Sequence, residues 1–138
     1  MRKNPKPVYR IIDANINRAK EGLRVCEEIT RFILNDRALT RGLKGIRHSL
    51  DILIKRLPGK KELLKERESS RDVGRKIYKN ELKRNGIQDI FFANIQRVKE
   101  SIRVMEEFTK LINKSLAVKF KELRYEVYIL EKKVGTPF

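Results

Sequence analysis

Apolar residues recur at helical spacing in four long stretches of the chain, with irregular segments between them. In residues 39–57, apolar side chains alternate four and three positions apart, and the same spacing returns in residues 116–134. This spacing is typical of a helix with one apolar face. Asn35-Asp36 provides a turn and an N-cap before the second stretch, and Pro58-Gly59 ends it. The pattern predicts an all-α protein.

The first and third stretches are copies of each other. Residues 14–34 read ANINRAKEGLRVCEEITRFIL, residues 93–112 read ANIQRVKESIRVMEEFTKLI, and the two align at an offset of 79 with 11 of the first 17 positions identical. The second and fourth stretches align at an offset of 77, which matches Lys44 with Lys121 and Arg47 with Arg124. We therefore expect one domain over residues 1–138, in which a helical hairpin occurs twice, in residues 8–57 and 89–134. Two such antiparallel hairpins, with four long helices, most simply close as a bundle with pseudo-twofold symmetry.

The segment that joins the two copies, residues 58–88, repeats nothing and is expected to hold short helices and a loop. We predict a short helix at 61–67, a loop through SSRDVG and a capped turn at 80–84. Asp89 is predicted to cap the third helix, which should end near residues 113–115. The first helix should run from about Val8 to Leu34, and the fourth from about Ser115 to Val134.

The charge balance narrows the class of partner. The chain has 34 basic and 18 acidic residues and a net charge of +16. This surplus favours anionic partners such as nucleotides, phosphorylated metabolites, nucleic acid or a membrane surface. The single Cys26 cannot pair within the chain, and no signal peptide or membrane-length apolar run is visible, so we expect a cytoplasmic protein.

Several common kinds of site are excluded by composition. One cysteine and one histidine cannot build a Cys/His metal site or a Ser-His-Asp triad. Neither GxxxxGK[ST] nor GxGxxG is present. His48 is predicted to face away from the apolar seam of its helix.

The polar residues that repeat are better candidates, because a helix kept only for packing should preserve its apolar positions instead. At about 100° per residue, one asparagine projects from the middle of each copied apolar face and one arginine lies at its border, while a second arginine lies beside the seam of the paired helix. These inward-facing residues are Asn15, Asn94, Arg18, Arg97, Arg47 and Arg124. Buried amides and guanidinium groups need partners. They either satisfy one another and fix the helix register, or line a cleft for a phosphate-bearing ligand, which arginine binds bidentately.

Two further groups of polar residues accompany them. Four glutamates lie on the flank beyond Arg18 and Arg97, where they either form surface ion pairs or hold Mg²⁺ or a ligand. They are Glu21, Glu28, Glu100 and Glu107. The loop RESSRDVG, residues 67–74, combines short hydroxyls, an aspartate, a glycine and two arginines, which suits an anion or a metal.

Five segments in this order carry a resemblance to a known family: YRIIDANINRAKEGLRVCEE, LKGIRH, RESSRDVG, ANIQRVKESIRVMEE and LRYEVYILEK. Together they resemble the strictly monofunctional hydroxymethylpyrimidine-phosphate kinases of thiamine biosynthesis, which occur alone or fused in front of thiamine-phosphate synthase. The resemblance implies the stand-alone form and ATP-dependent phosphorylation of 4-amino-5-hydroxymethyl-2-methylpyrimidine phosphate to the diphosphate, with Mg²⁺. Glu68 and Ser69 stand where the family pattern has Asp and Thr, which keeps the chemistry.

On this hypothesis the phosphates of substrate and ATP would be bound by Arg18, Arg97, Arg47 and Arg67. Asp72, alone or with a glutamate of a repeated helix, would hold Mg²⁺, and Asn15 or Asn94 would contact the aminopyrimidine ring or a phosphate oxygen. The candidate set is completed by Ser69, Arg124, Glu21 and Glu100. Two alternatives remain open, a basic helical module that binds nucleic acid without enzymatic activity and a structural subunit, and a homodimer that completes the site is a further possibility.

Overall fold

The structure is a computed structural model that describes residues 6–76 and 82–135. Five α-helices lie in these ranges, namely α1 (Lys6–Glu28), α2 (Arg37–Arg56), α3 (Lys60–Lys65), α4 (Ile87–Thr109) and α5 (Lys114–Gly135). A π-helical segment, Ile29–Ile33, continues α1, and a 3₁₀ turn, Ser69–Arg71, follows α3. The described ranges contain no strand, so the prediction of an all-α bundle is confirmed.

Most predicted helix ends agree with the structure, but one cap was assigned to the wrong residue. Asp36 caps α2 as predicted, because its Oδ1 accepts the amide hydrogen of Leu39 at 2.9 Å. Asp89 is not an N-cap: α4 begins at Ile87, and the Asp89 carboxylate accepts the amide of Asn85 at 2.9 Å from within the first turn. An acidic residue suits both positions, since both lie near the positive end of the helix dipole.

Two other boundaries differ from expectation or cannot be compared. Helix α4 ends at Thr109, earlier than the predicted 113–115, and Asn113 serves as cap for α5 by accepting the Leu116 amide at 3.0 Å. The predicted turn at 80–84 falls partly on residues 80 and 81, which lie outside the described part of the chain.

The two copied helices, α1 and α4, make the most extensive helix interface of the bundle. They run antiparallel, since Gly22 lies against Asn94 and Val98 while Cys26 Sγ lies 3.7 Å from the Phe91 carbonyl. Helix α5 packs on α4 and α2, and α2 packs on α1, so the four long helices close a ring around one apolar core.

A glycine allows the close approach of α1 and α4. A Cβ on Gly22 would lie 2.7 Å from Val98 Cγ2 and 3.0 Å from the Asn94 carbonyl oxygen. The matching residue in the second copy, Ser101, is buried and turns its hydroxyl back to donate to the Arg97 carbonyl at 2.6 Å. Small residues at both positions therefore bring the two repeats into direct contact.

The first part of the inserted segment packs on the first copy. Helix α3 packs on α1, and Gly59 before it has a φ of 74°, a left-handed conformation that favours glycine. Beyond α3, Arg67 donates to Asp13 through Nε at 2.8 Å and Nη2 at 2.9 Å. The hydrogen bond to Asp13 raises the pKa of Arg67 above its usual value. The second copy has Phe92 at the position of Asp13 (13 + 79), so it offers no equivalent anchor.

Candidate functional site

The most coherent group of predicted residues lines one cleft beside the crossing of α1 and α4, which we name the axis cleft. It has a volume of about 520 Å³ and is lined by Asn15, Arg18, Gly74, Ala93, Gln96, Arg97, Glu100, Ser101 and Val104. Arg18 and Arg97 are equivalent in the two repeats (18 + 79) and both lie in it. Residues of both copies therefore line the cleft, and neither copy forms it alone.

On the α1 side, Asn15 positions Arg18. The amide of Asn15 is buried and donates from Nδ2 to the Ile11 carbonyl at 2.8 Å, which leaves its Oδ1 as an acceptor. Arg18 Nη1 lies 3.4 Å from that oxygen. The hydrogen bond uses part of one guanidinium edge and leaves the remaining N–H groups of Arg18 available to a ligand.

On the α4 side, the charged and polar lining residues are Arg97, Gln96 and Glu100. Among the described residues, Arg97 has no ion-pair partner and no side-chain hydrogen bond. Glu100, one turn further along, accepts a hydrogen bond from Gln96 Nε2 at 2.9 Å. The cleft thus presents two guanidinium groups for an anion and, at its edge, the acceptor oxygens of Gln96 and Glu100.

The central loop contributes the part of the cleft that breaks its symmetry. Gly74 of RESSRDVG lines the cleft directly. Its amide donates to Asp72 Oδ1 at 2.9 Å, so the aspartate shapes the turn two residues before the cleft wall. Ser69 lies in the exposed turn Ser69–Arg71 and is not among the lining residues.

The other two predicted arginines already have carboxylate partners. Arg47 Nε donates to Glu27 Oε1 at 3.0 Å, and in the second copy Arg124 Nε donates to Glu106 Oε1 at 3.0 Å. The glutamate side chains are only 1% and 6% exposed, respectively. Removing one partner of such a buried pair typically costs about 3–5 kcal/mol, because the other charge is left without compensation.

Arg124 has further interaction partners besides its glutamate. Burial tends to lower its pKa, but hydrogen bonds to Tyr128 and Glu106 outweigh this effect and raise the pKa above its usual value. Its guanidinium also lies 5.2 Å from the centroid of the Tyr125 ring. The two arginines are therefore satisfied, but by buried glutamates and not by the other inward-facing residues, and a role toward phosphate stays a prediction.

The glutamates of these pairs are the residues that sequence reasoning missed. Glu27 and Glu106 are identical in the two copies, and Glu27 lies at about 120° from Asn15 on the helical wheel, next to Ile16. A charged residue that repeats at the edge of an apolar face is a signal for a buried partner. Gln96, Ser101 and Val104 of the cleft gave no comparable signal.

The remaining predicted residues lie elsewhere. Glu21 lines a separate groove between α1 and α2 together with Arg47. Asn94 repeats the bond of Asn15, with Nδ2 donating to the Ile90 carbonyl at 2.8 Å, but it is not among the residues that line the axis cleft. His48 is exposed, as predicted.

Two observations bear on metal and thiol chemistry. Over the described residues, no group of three or more His, Cys, Asp or Glu side chains is close enough together to hold a metal ion. Burial, with a smaller contribution from Glu131, raises the pKa of the Cys26 thiol to about 12, so this thiol is neutral.

Within the described ranges, no helix combines the length and apolarity that a bilayer crossing requires.

Comparison with known proteins places the chain in a family. The ThiD2 family pattern matches residues 10–133, which is most of the chain. The chain belongs to the ThiD2 family. It is 38% identical over 130 residues to a thiamine-phosphate synthase of Synechocystis sp. and 41% identical over 125 residues to one of Nostoc punctiforme.

These matches cover nearly all of this chain and a minor part of its relatives. The alignments include 93% and 90% of the chain but 36% and 34% of the two synthases. A thiamine-phosphate synthase of Thermosynechococcus vestitus is 40% identical over 124 residues, with 89% of the chain and 34% of the relative covered. The ThiD2 chain therefore spans about a third of the length of the curated relatives it matches. No solved structure matches it.

Proposed function

We propose that this ThiD2 protein acts in thiamine biosynthesis and transfers the γ-phosphoryl group of ATP to 4-amino-5-hydroxymethyl-2-methylpyrimidine phosphate. Family membership and relatives named thiamine-phosphate synthase support the pathway. The observation that carries the reaction is the axis cleft, where equivalent arginines of the two copies face one space and Arg97 has no ion-pair partner among the described residues.

The reaction requires little covalent catalysis by the protein. An oxygen of the substrate phosphate attacks the γ-phosphorus, the bond from that phosphorus to the β,γ-bridging oxygen breaks, and ADP leaves. The attacking oxygen is already ionised near neutral pH, so no general base is needed. What the protein must supply is alignment of two anions and positive charge around the transferred group.

In this proposal the chain's own residues divide that work. Arg97, which is free to pair, binds the phosphate of the acceptor, and Arg18, held by Asn15, faces the transferred group. Gln96, whose Nε2 donates to Glu100, offers its amide oxygen to the amino group of the pyrimidine. An acceptor without a phosphate would leave Arg97 unpaired in the cleft, which accounts for a preference for the monophosphate.

The chemistry that Mg²⁺ would supply here is neutralisation of charge on the nucleotide phosphates. Magnesium commonly keeps several waters and takes only one or two protein carboxylates. The described residues fit that mode and not an all-protein cage, since they contain no cluster of three ligands. Glu100 in the cleft wall and Asp72, whose carboxylate keeps one oxygen beyond its bond to Gly74, are the carboxylates that would serve.

The test is a phosphoryl-transfer assay that measures ADP release with the pyrimidine alcohol and its monophosphate as alternative acceptors. We expect turnover with the monophosphate and a drop in kcat/KM of about 100-fold in Arg97→Ala, the loss typical of removing one charge-stabilising donor. Arg103→Ala is the matched control, because Arg103 is an exposed α4 arginine paired with Glu107 at 3.1 Å. It should stay within about twofold of the wild type.

Two results would count against the proposal in different ways. Absence of transfer to either acceptor would reject the kinase function. Wild-type kcat/KM in a folded Arg97→Ala protein would leave the function standing but remove the axis cleft as its site. Salt-sensitive RNA binding without any phosphoryl transfer would favour the nucleic-acid module instead.

A further inference from the structure

A second concentration of positive charge lies at the turn between α1 and α2. A pocket of about 370 Å³, which we name the hairpin pocket, is lined by Arg31, Asn35, Asp36, Arg37, Thr40, Arg41 and Lys44. Four of these residues are cationic and one is anionic. Asp36 already uses one oxygen to cap α2 through the Leu39 amide.

Among the lining residues of the hairpin pocket, the four cations are accompanied by one carboxylate, that of Asp36. Across residues 6–76 and 82–135, none of them forms an ion pair with a carboxylate. The guanidinium carbon of Arg31 lies 4.7 Å from the centroid of the Phe32 ring. Four unpaired cations around one concave space repel one another and raise the local concentration of anions.

The repeat shows which parts of this pocket are specific to the first copy. Its counterpart at the turn between α4 and α5 has a similar volume, about 360 Å³, and keeps three cations as Lys110, Lys114 and Lys121. There, however, Lys110 is bound to Glu107 at 2.9 Å. Ala117 and Val118 replace Thr40 and Arg41 (40 + 77 and 41 + 77), so the second pocket is less cationic and more apolar.

The turn between α1 and α2 also differs in length from the turn between α4 and α5. The repeat offset falls from 79 on the first helices to 77 on the second, so the first turn is two residues longer (79 − 77 = 2). A π-helical segment, Ile29–Ile33, lies at this turn, and the Leu34 amide donates to the Ile29 carbonyl at 2.9 Å. π-Helical turns are rare and occur frequently at functional sites.

We propose that the hairpin pocket binds a small polyphosphate, an anion with two or more linked phosphate groups. Its charge suits a multivalent anion, and three arginine forks suit phosphate oxygens. Its concave shape suits a small molecule better than the continuous basic face that a nucleic acid requires.

This site is separate from the axis cleft and does not depend on the proposed function. Arg18 and Arg31 are thirteen positions apart on α1 and its π-helical continuation, which corresponds to about 20 Å at the rise of an α-helix. A phosphate in the hairpin pocket is therefore too far from the cleft of the same chain to be the group transferred there.

The experiment titrates the whole chain with inorganic pyrophosphate by isothermal calorimetry. Arg37→Ser/Arg41→Ser removes two charges from the hairpin pocket, and Lys114→Ser/Lys121→Ser removes two charges from the equivalent pocket as matched control. We expect the dissociation constant of pyrophosphate to rise at least tenfold in the first variant and less than threefold in the second. The binding should persist in Arg97→Ala, which alters the axis cleft.

Other outcomes would overturn the proposed site. Equal losses in both double variants would reduce the effect to net charge and overturn the site, as would loss in Arg97→Ala alone or absence of pyrophosphate binding. Tighter binding of a single-stranded RNA through Arg37 and Arg41 would replace the small polyphosphate by nucleic acid. Comparing the affinities of pyrophosphate, ADP and ATP identifies the kind of polyphosphate that is bound. Equal affinities mean that only the phosphate chain is bound. Tighter binding of the nucleotides means that the base contributes.

Discussion

At the scale of single residues, the two copies differ in how one buried hydroxyl is satisfied. Thr30 donates to the Glu27 carbonyl at 3.1 Å and lies 3.0 Å from the hydroxyl of Thr40. Its counterpart Thr109 is fully buried, and its hydroxyl has no hydrogen-bond partner among the described residues. The residue matching Thr40 in the second copy is Ala117, which removes the partner.

This difference predicts opposite effects for the same substitution. Thr109→Val replaces an unsatisfied hydroxyl by a methyl group of similar size and should raise the free energy of unfolding by about 1 kcal/mol. Thr30→Val breaks a satisfied hydrogen bond and should lower it by about 1 kcal/mol. Urea unfolding of both variants measures the two values, and changes of the same sign would contradict the assignment.

At the scale of helices, the bundle depends on the crossing of α1 and α4 at Gly22. Two of the nearest atoms to a Cβ there are Val98 Cγ2 at 2.7 Å and a backbone oxygen at 3.0 Å, and the backbone cannot move as a side chain can. Gly45 in α2 is the opposite case, since nothing lies within 4 Å of its Cβ position. The same residue type is thus required for packing in one helix and is dispensable in another.

Alanine at these two glycines should separate packing from helix propensity. Gly45→Ala is expected to stabilise the protein by up to about 1 kcal/mol, the usual gain over glycine inside a helix. Gly22→Ala is expected to destabilise it by about 1–3 kcal/mol, because overpacking outweighs that gain. Thermal unfolding followed by circular dichroism reports both shifts, and stabilisation by Gly22→Ala would show that the helices separate easily.

At the scale of the whole molecule, the inserted segment turns a symmetric pair of hairpins into an asymmetric one. Its contact with α1 through Arg67 and Asp13 fixes the start of the loop that brings Gly74 to the axis cleft. Arg18 and Arg97 therefore line a cleft that also includes Gly74 of the inserted segment, a residue with no counterpart in the repeat. The loop gives Arg18 and Arg97 different surroundings, which permits different roles in a single reaction.

Releasing this anchor should alter the cleft more than the stability. Asp13→Leu/Arg67→Met removes both charges, so no buried carboxylate is left unpaired and the free energy of unfolding should change by less than about 1 kcal/mol. Hydrogen exchange of the amides of residues 68–76 should become faster, and KM for the pyrimidine monophosphate should rise. Arg71→Met is the matched control, because Arg71 is an exposed arginine of the same segment. Unchanged exchange in the double variant would mean that α3 alone holds the loop.

The sequence by itself determined the elements and the repeat. Apolar spacing located the long helices, and the residue types Asn35-Asp36 located the cap of α2. Identity between the copies indicated that the helical hairpin occurs twice. The helical wheel also placed Asn15 on the inner face and Arg18 at its margin. Local rules were sufficient for which face of a helix each residue occupies.

Only the tertiary structure decided which inward-facing arginines are free. On the helical wheel, Arg47 and Arg124 lie beside the apolar seams of their helices, a position from which they could bind a ligand. In the structure, buried glutamates of the neighbouring helices bind them instead. Arg18 and Arg97 meet in one cleft because α1 and α4 cross near them, and Gly74 joins because Arg67 binds Asp13. Partner choice depends on which helices touch and in what register, and no spacing within one helix specifies that contact.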